Sequence, residues 1–251
     1  TFDELVELCV RIETETEGAV DALNPNAKYA QVFLTLLQMC TYSETLASIE
    51  DRTWLESVLT GDGVLTGHIE PLFEAAKKLI DAGLLSEDYW TFSATTRRNE
   101  FFEGKIAMIN MPANDGMRNS DFEVAYMPFP GETAEDAYVQ TEASYVLAVP
   151  LQTGISPEKQ ALIQEYIEFA STPEAQSLFM GGAMMLPSVR DLDIPEGNTL
   201  IQEVISRGQA VPQEDFKGAN SPYMLEAFSA AILKMLLGET DIAGAVAMCD
   251  K

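Results

Sequence analysis

Apolar side chains recur every three or four positions in several long stretches of the chain, and this spacing predicts amphipathic helices. The first stretch covers residues 2–11, and Thr1 and Glu4 have the pattern of a capping box at its start. The sequence SPE at 156–158, and TPE at 172–174, each supply an N-cap residue and a proline for the first helical turn. The predicted helices are residues 2–11, 27–39, 69–82, 157–169, 173–180, 199–206, 223–237 and 240–249.

Shorter apolar runs predict buried strands. The first is AVDAL at 19–23, which the Asn-Pro-Asn of residues 24–26 is expected to end. The second is KIAMINM at 105–111, and the third is SYVLAVP at 144–150. Strands that alternate with helices predict an α/β architecture.

Two other stretches lack a clear period. Residues 42–66 are acidic and irregular, and surface loops are predicted there. FEVAYMPFPG at 122–131 alternates between apolar and polar residues and then turns on its prolines, which predicts an extended connector. Together with the strands, such connectors favour a chain that is divided into two lobes.

Charge changes the list of possible partners. The 251 residues carry 40 acidic and 15 basic side chains, for a formal net charge of -25. A negative potential of this size repels phosphate backbones and anionic lipids, so nucleic acid is not expected as a partner. No apolar run approaches the roughly 20 residues that span a bilayer. The chain also opens without Met or a signal segment, so a processed or truncated start is expected.

The sequence offers little for catalysis. His68 is the only histidine, and no nucleophile elbow, P-loop or dinucleotide fingerprint is present. Forty carboxylates make any acid pair uninformative, because chance proximity is expected. Cys9, Cys40 and Cys249 lack metal-ligand spacing, and they are either free buried thiols or include a Cys9–Cys40 disulfide. No catalytic residue, metal site or cofactor is predicted.

Several segments, taken in order, resemble the extracellular solute-binding proteins of ABC transporters, the family 1 group that includes maltose-binding protein. FFEGKIAMIN at 101–110 is similar to the F-x-x-G-K-x-A-M strand of that family. TFDEL at the start resembles the helix after the first crossing between lobes, and FEVAYMPFPG resembles the return crossing. The remaining matching segments are GHIEPLFEAAKKLIDAGLL, SYVLAVP, SPEKQALIQEYIEFASTPEAQSLF and MMLPSV.

The resemblance implies a periplasmic-binding-protein-like two-lobe α/β fold, with one lobe nearly complete and the other partial. Residues 1–122 and 184–251 would form the nearly complete lobe. Residues 123–183 would be the returning segment of the other lobe, whose remainder is absent from this chain. Such a remnant is expected to leave apolar surface uncovered, and the chain by itself is expected to bind ligand poorly.

The resemblance also implies a function. It indicates a non-catalytic receptor of an ABC importer that captures a small-molecule solute, with a carbohydrate favoured, by hinge closure between lobes. The implied partners are the permease subunits, and membrane contact would arise only through a lipid anchor of the full-length form. The implied location is extracellular, either anchored at the cell surface or periplasmic. Two alternatives stay open: an extracellular sensor or interaction domain, and a secreted hydrolase with a carboxylate pair.

Aromatic candidates for the ligand site follow from the family likeness and from sugar chemistry, which uses ring faces and planar hydrogen-bonding groups. Tyr29 and Tyr223 each resemble a cleft aromatic of the family, although a core or surface role fits them equally well. Tyr145, with Glu142 and Ser144, stands where the strand of the other lobe is predicted to begin.

Polar candidates follow the strand at 101–110. Asn110, Asn114 and Asp115 are able to hydrogen-bond a polar ligand, while Asn-Asp-Gly is also ordinary turn chemistry. Many sugar-binding members carry Gly-x-Trp in this loop, and the tryptophan is absent here. This departure puts a stacked oligosaccharide in doubt.

Overall fold

A computed structural model describes residues 1–25, 28, 30–111, 121–141, 154–180, 199–212 and 221–250. Helices and strands alternate in these ranges, which confirms the predicted α/β class. The helices are α1 (Phe2–Glu15), α2 (Ala30–Cys40), α3 (Tyr42–Thr45), α4 (Ile49–Thr60), α5 (Glu70–Asp81), α6 (Ala94–Phe102), α7 (Pro157–Ala170), α8 (Pro173–Met180), α9 (Thr199–Arg207), α10 (Ser221–Leu236) and α11 (Ile242–Cys249). The strands are β1 (Asp21–Asn24), β2 (Ile106–Ile109), β3 (Phe129–Pro130), β4 (Ala137–Thr141) and β5 (Gln209–Pro212).

The predicted starts of α1 and α7 are confirmed at the level of individual hydrogen bonds. The backbone N–H of Glu4 donates to Oγ1 of Thr1 over 3.2 Å, and the Thr1 amine donates to the Glu4 carboxylate over 2.8 Å. The N–H of Lys159 donates to Oγ of Ser156, which caps α7. Gly83 follows α5 with φ +75°, a left-handed conformation that glycine adopts without strain.

The prediction of loops over residues 42–66 is wrong, because α3 and α4 lie there. Ser48 caps α4: its Oγ accepts the N–H of Asp51 at 3.0 Å, and the Asp51 carboxylate accepts the N–H of Ser48. Only Leu55 and Val58 of this helix are buried. Since two buried positions make no clear apolar stripe, local capping defines this helix better than its periodicity does.

Two small sheets organise the described strands. In the first, β1 and β2 are parallel, with Asp21 opposite Ile106 and Asn24 opposite Ile109. The predicted strand stops at Leu23, which is one residue too early, because Asn24 is the last residue of β1 and is fully buried. Pairing with β2, which the local sequence does not reveal, extends the strand.

The second sheet has the order β3-β4-β5. Strand β3 pairs antiparallel with β4, and β4 pairs parallel with β5, with Tyr138 opposite Gln209 and Thr141 opposite Pro212. It therefore joins a strand from the 123–183 segment to one from the 184–251 segment. Strand β3 lies within the predicted connector at 122–131, whereas β4 and β5 carry no pattern that predicted them.

Helices α2, α5, α10 and α11 pack together around the main core. Phe73 on α5 stacks on Phe228 on α10, with ring centroids 5.7 Å apart, and both side chains are completely buried. Tyr138 of β4 joins this core through a ring contact with Tyr42, at 4.8 Å. Burial of such side chains contributes about 1.5 to 3 kcal/mol each, so this packing holds the sheets in place.

The three cysteines, Cys9, Cys40 and Cys249, are free thiols. Burial raises the pKa of Cys9 to about 11 and that of Cys249 to about 12, so both thiols stay protonated at neutral pH.

Within the described ranges, no helix has the length and apolar character that crossing a bilayer requires. The predictions for SYVLAVP and MMLPSV lie outside the described residues.

Candidate functional site

The carboxyl ends of β1 and β2 lie side by side. Asn24 is paired with Ile109, so Asn24 and Asn110 stand next to each other where the two strands end. In α/β folds, ligands bind beyond the carboxyl ends of parallel strands. We therefore place the candidate site at this edge and call Asn24, Trp90 and Asn110 the edge site.

Asn110 is held in a defined orientation. Its Nδ2 donates a hydrogen bond of 2.8 Å to the carbonyl oxygen of Val32, in the first turn of α2. The side chain is half-buried. An amide side chain has four hydrogen-bonding positions, and this bond uses one of them. Asn110 thus anchors the end of β2 to α2 and keeps a planar polar group at the edge.

Trp90 lies beside the part of α2 that Asn110 contacts, because its ring meets Phe33, the residue after Val32. It closes a short 3-10 helix over Glu87–Trp90, and its Nε1 donates to Oγ of Ser229 on α10 over 3.0 Å. Its ring meets Phe33 edge to face, with centroids 6.0 Å apart. The N–H of Lys28, just beyond β1, donates to the carbonyl of Tyr89. Trp90 is therefore fixed beside the segment that leaves β1, and its side chain is only partly buried.

An ion-pair cluster around the buried Arg97 places the short 3-10 helix relative to β1. The Arg97 guanidinium lies 2.6 Å from the Asp21 carboxylate and 2.9 Å from that of Glu100. Its carbon Cζ lies 4.9 Å from the Tyr89 ring centroid. Burial, together with the Asp21 charge, raises the pKa of Tyr89 to about 12, so Tyr89 stays neutral and packs as a phenol. Since Tyr89 precedes Trp90, Arg97 acts as a positioning residue for the edge site.

Tyr223 lies on α10 near its start and is 75% exposed. Ser229, which accepts the Trp90 hydrogen bond, follows six residues later, and six helical residues rise about 9 Å. This exposure removes the core role that the sequence left open for Tyr223. A surface role and a ligand role both fit its position.

The structure brings one predicted residue, Asn110, into the edge site. Four other predicted residues lie outside the described residues, and these are Tyr29, Asn114, Asp115 and Tyr145. The weaker candidates Glu142 and Ser144 lie outside them as well. Sequence reasoning did not select Asn24 or Trp90. A polar residue at the carboxyl end of a strand was a usable signal for Asn24, whereas the position of Trp90 depends on a partner 139 residues away.

A separate cavity of about 280 Å³ lies between α5 and the start of α11. The side chains of Lys77 and Asp81, which form an ion pair, line one wall. Its lining in the described part of the chain includes Met235 and Thr240 but no aromatic ring. This cavity therefore lacks the ring face that the edge site has, and we do not assign it a ligand.

The edge site is suited to binding and not to acid–base chemistry. The side chains of Asn24, Trp90 and Asn110 are not titratable, and none of them is a nucleophile. Because Asn24 is fully buried, the half-buried amide of Asn110 is the group that is able to hydrogen-bond to hydroxyls, and the Trp90 indole face is able to pack on C–H surfaces. A neutral molecule with many hydroxyl groups fits this combination.

No protein-family model and no curated protein matches the chain. Solved structures do share its fold. A family 1 extracellular solute-binding protein from Bifidobacterium longum subsp. infantis matches with a TM-score of 0.66 and 16% identity, over 100% of this chain and 64% of that one. A sugar transporter from Bacillus licheniformis, in complex with stachyose, matches with a TM-score of 0.65 and 15% identity, over 100% and 65%.

A third match is a Streptococcus pneumoniae solute-binding protein in complex with the blood group A-trisaccharide. Its TM-score is 0.62 at 15% identity, over 100% of this chain and 62% of that one. The chain therefore spans less than two thirds of the length of these three proteins. At these identities the likeness establishes the fold.

Proposed function

We propose that this chain, whose fold is that of the family 1 extracellular solute-binding proteins, is the larger part of a non-catalytic carbohydrate receptor of an ABC importer. The observation that carries the proposal is the edge site, where the Asn110 amide follows β2 and contacts Val32 of α2, while the Trp90 ring packs on the adjacent Phe33. The matched structures include complexes with stachyose and a trisaccharide, which supports a sugar as the solute.

In this proposal, the solute lies across the edge site. The Trp90 ring packs on the C–H face of a sugar, and the Asn110 amide hydrogen-bonds to its hydroxyls. Tyr223 contributes a second exposed ring from α10. The absent Gly-x-Trp tryptophan is then replaced by Trp90, which reaches the edge from a different part of the chain.

Capture occurs by closure of two lobes over the solute. Residues 1–122 and 184–251 form one lobe, and residues 123–183 return to the other lobe. The β4–β5 pair lies where these segments meet and supports a connection there through backbone hydrogen bonds. Closure makes the bound state readable by permease subunits. The receptor acts outside the cell, at the surface through a lipid anchor or in a periplasm.

A thermal-shift panel on the native protein that the gene encodes tests the proposed function. A ligand at 100 times its Kd adds about 2.7 kcal/mol to the free energy of unfolding. We expect a neutral oligosaccharide, such as stachyose or a chitin oligosaccharide, to raise the melting temperature. A shift with peptides or polyamines and none with any carbohydrate would overturn the carbohydrate assignment.

A pair of asparagine variants adds a control. Asn110→Ala removes the amide of the edge site, and we expect it to weaken oligosaccharide binding at least tenfold. Asn99→Ala changes an exposed asparagine on α6 and is expected to leave the affinity unchanged. Equal affinities for the two variants would remove Asn110 from the site.

A further inference from the structure

Helix α7 exposes an apolar face to solvent. Leu162, Tyr166 and Phe169 are 64%, 55% and 47% exposed, and they follow one another at spacings of four and three residues. At 3.6 residues per turn these positions share one side of the helix. We call these three residues the α7 face. In the next helix, Leu178 is 72% exposed as well.

The buried side of α7 is small. In this 14-residue helix Ala170 is the buried residue, while Ile163 and Ile167 are half-buried. Isolated helices of this length are marginal in water, and most helices of proteins are stabilised by packing of an apolar face. The contacts that α7 makes in the described part of the chain leave much of its apolar surface without such packing.

The surroundings of the α7 face have the character of an interface. Glu158, Lys159 and Glu165 are exposed and lie around the three apolar residues. An apolar centre with a charged, solvent-accessible rim is the usual anatomy of a protein interface. Tyr166 and Phe169 each leave roughly 100 Å² of side chain uncovered, given the 150 to 250 Å² that an aromatic residue is able to bury. Exposed patches larger than a few hundred Å² mark contact sites.

We propose that the α7 face docks against the α/β portion of the two-lobe fold that this chain does not span. The matched solved structures are longer, and the chain covers 62 to 65% of them, so about a third of the fold has no counterpart in these 251 residues. A second copy of this chain is a poor occupant, because it would bring a further net charge of -25 to the contact. The inference rests on the two-lobe part of the proposed function and not on the identity of the solute.

Hydroxyl-radical footprinting read by mass spectrometry tests this docking with the native residues. The recombinant 251-residue chain is compared with the native protein that the gene encodes, isolated from the cells that produce it. Both preparations are free of ligand. We expect oxidation of Leu162, Tyr166 and Phe169 to be at least fivefold lower in the native protein. Ile49 on α4, which is 84% exposed, is the control and is expected to be oxidised equally in both. Low oxidation of the buried Phe73 verifies the fold in each preparation.

Equal oxidation of the α7 face in the two preparations would overturn the proposal. Protection that grows with the concentration of the recombinant chain, together with a doubled mass in light scattering, would assign the face to a second copy and would overturn it too. A third outcome is protection of the α7 face in the native protein without a thermal shift for any carbohydrate. This outcome would support the docking and reject only the carbohydrate assignment.

Discussion

Arg97 is the residue on which the placement of the edge site depends most. It is 5% exposed, pairs with the carboxylates of Asp21 and Glu100, and packs on the rings of Tyr89 and Phe92. Removing one partner of a buried ion pair leaves a charge with poor solvation. Because both carboxylates are partly exposed, the cost is smaller here than for a fully buried pair.

We therefore predict that Arg97→Met lowers the free energy of unfolding by about 2 kcal/mol. Arg97→Lys is expected to cost about 1 kcal/mol, because one ammonium group does not match the two-sided geometry of a guanidinium. Arg11→Met, at an exposed position on α1, serves as the control and should stay within about 0.5 kcal/mol of the parent. Urea unfolding followed by circular dichroism measures all three, and an equal loss for Arg97→Met and Arg11→Met would contradict the prediction.

Glu44 is expected to make stability depend on pH. Burial raises its pKa above the usual 4.5, and the nearby Glu132, Glu74 and Asp136 raise it further, while Lys78 opposes them. The folded protein thus binds this proton more tightly than the unfolded chain does. Its contribution to stability is complete below about pH 4.5 and is lost as the pH rises through the folded-state pKa.

Glu44→Gln removes that loss. At pH 7 we expect the variant to be more stable than the parent by about 0.5 kcal/mol, a small figure because the carboxyl group is partly solvated. At pH 4 the difference should disappear. Glu7→Gln, which neutralises an exposed carboxylate on α1, corrects for the general effect of lowering the negative charge. Urea midpoints at both pH values decide, and a larger gain for Glu44→Gln at pH 4 than at pH 7 would reverse the assigned sign.

Among the helices, α10 contacts both the core and the edge site. Its Phe228 is fully buried against Phe73 of α5, while its Ser229 accepts the hydrogen bond of Trp90. Tyr223 on the same helix is exposed. One helix therefore provides both a core position and a solvent position for comparison.

We predict that Phe228→Ala lowers the free energy of unfolding by about 3 to 5 kcal/mol, because it removes a large buried side chain and leaves a cavity. Tyr223→Ala, on the same helix, should change it by less than about 0.5 kcal/mol. Chemical denaturation measures both. A comparable loss for the two variants would show that the core is not where the structure places it.

How much of each element the sequence predicts depends on how local its determinants are. The starts of α1 and α7 follow from caps within four residues, and both are confirmed. Helix α4 has a cap but few buried positions, so its apolar period is weak. Strands β4 and β5 are five and four residues long and owe their pairing to a partner about 70 residues away, which no local pattern encodes.

The same distinction applies to the edge site. Asn110 follows a recognisable strand, so the sequence places it at a strand end, and in the structure it follows β2 and contacts α2. Trp90 is in the site because Phe33 and Ser229 contact it, and these residues come from two other helices. Such convergence becomes visible only when the helices are packed.

The net charge of the whole molecule destabilises its folded state. At a net charge of -25, the negatively charged side chains repel one another at low ionic strength. Raising the salt from 0.01 M to 0.1 M shortens the Debye length from about 30 Å to about 10 Å. We therefore predict that the melting temperature rises over this range of NaCl at pH 7.

The same scan at pH 4 is the control. Carboxylates take up protons near that pH, so the repulsion and its dependence on salt should both decline. Differential scanning calorimetry measures both series. A salt effect that is equal at pH 7 and pH 4 would attribute it to something other than the negative charge.

We propose that a carbohydrate binds at the edge site. The chain's two tryptophans allow a direct test, because Trp90 lies in that site while Trp54 stacks on His68, with ring centroids 4.4 Å apart, on α4. The measurement is a titration of tryptophan fluorescence in the natural gene product, with the oligosaccharide that gives the largest thermal shift.

We predict that Trp54→Phe keeps both the affinity and the fluorescence change that Trp90 contributes. Trp90→Phe should lose that change and should bind at least tenfold more weakly. If the change instead persists in Trp90→Phe and vanishes in Trp54→Phe, the solute does not bind at the carboxyl ends of β1 and β2, and the assignment of the edge site to carbohydrate binding is wrong.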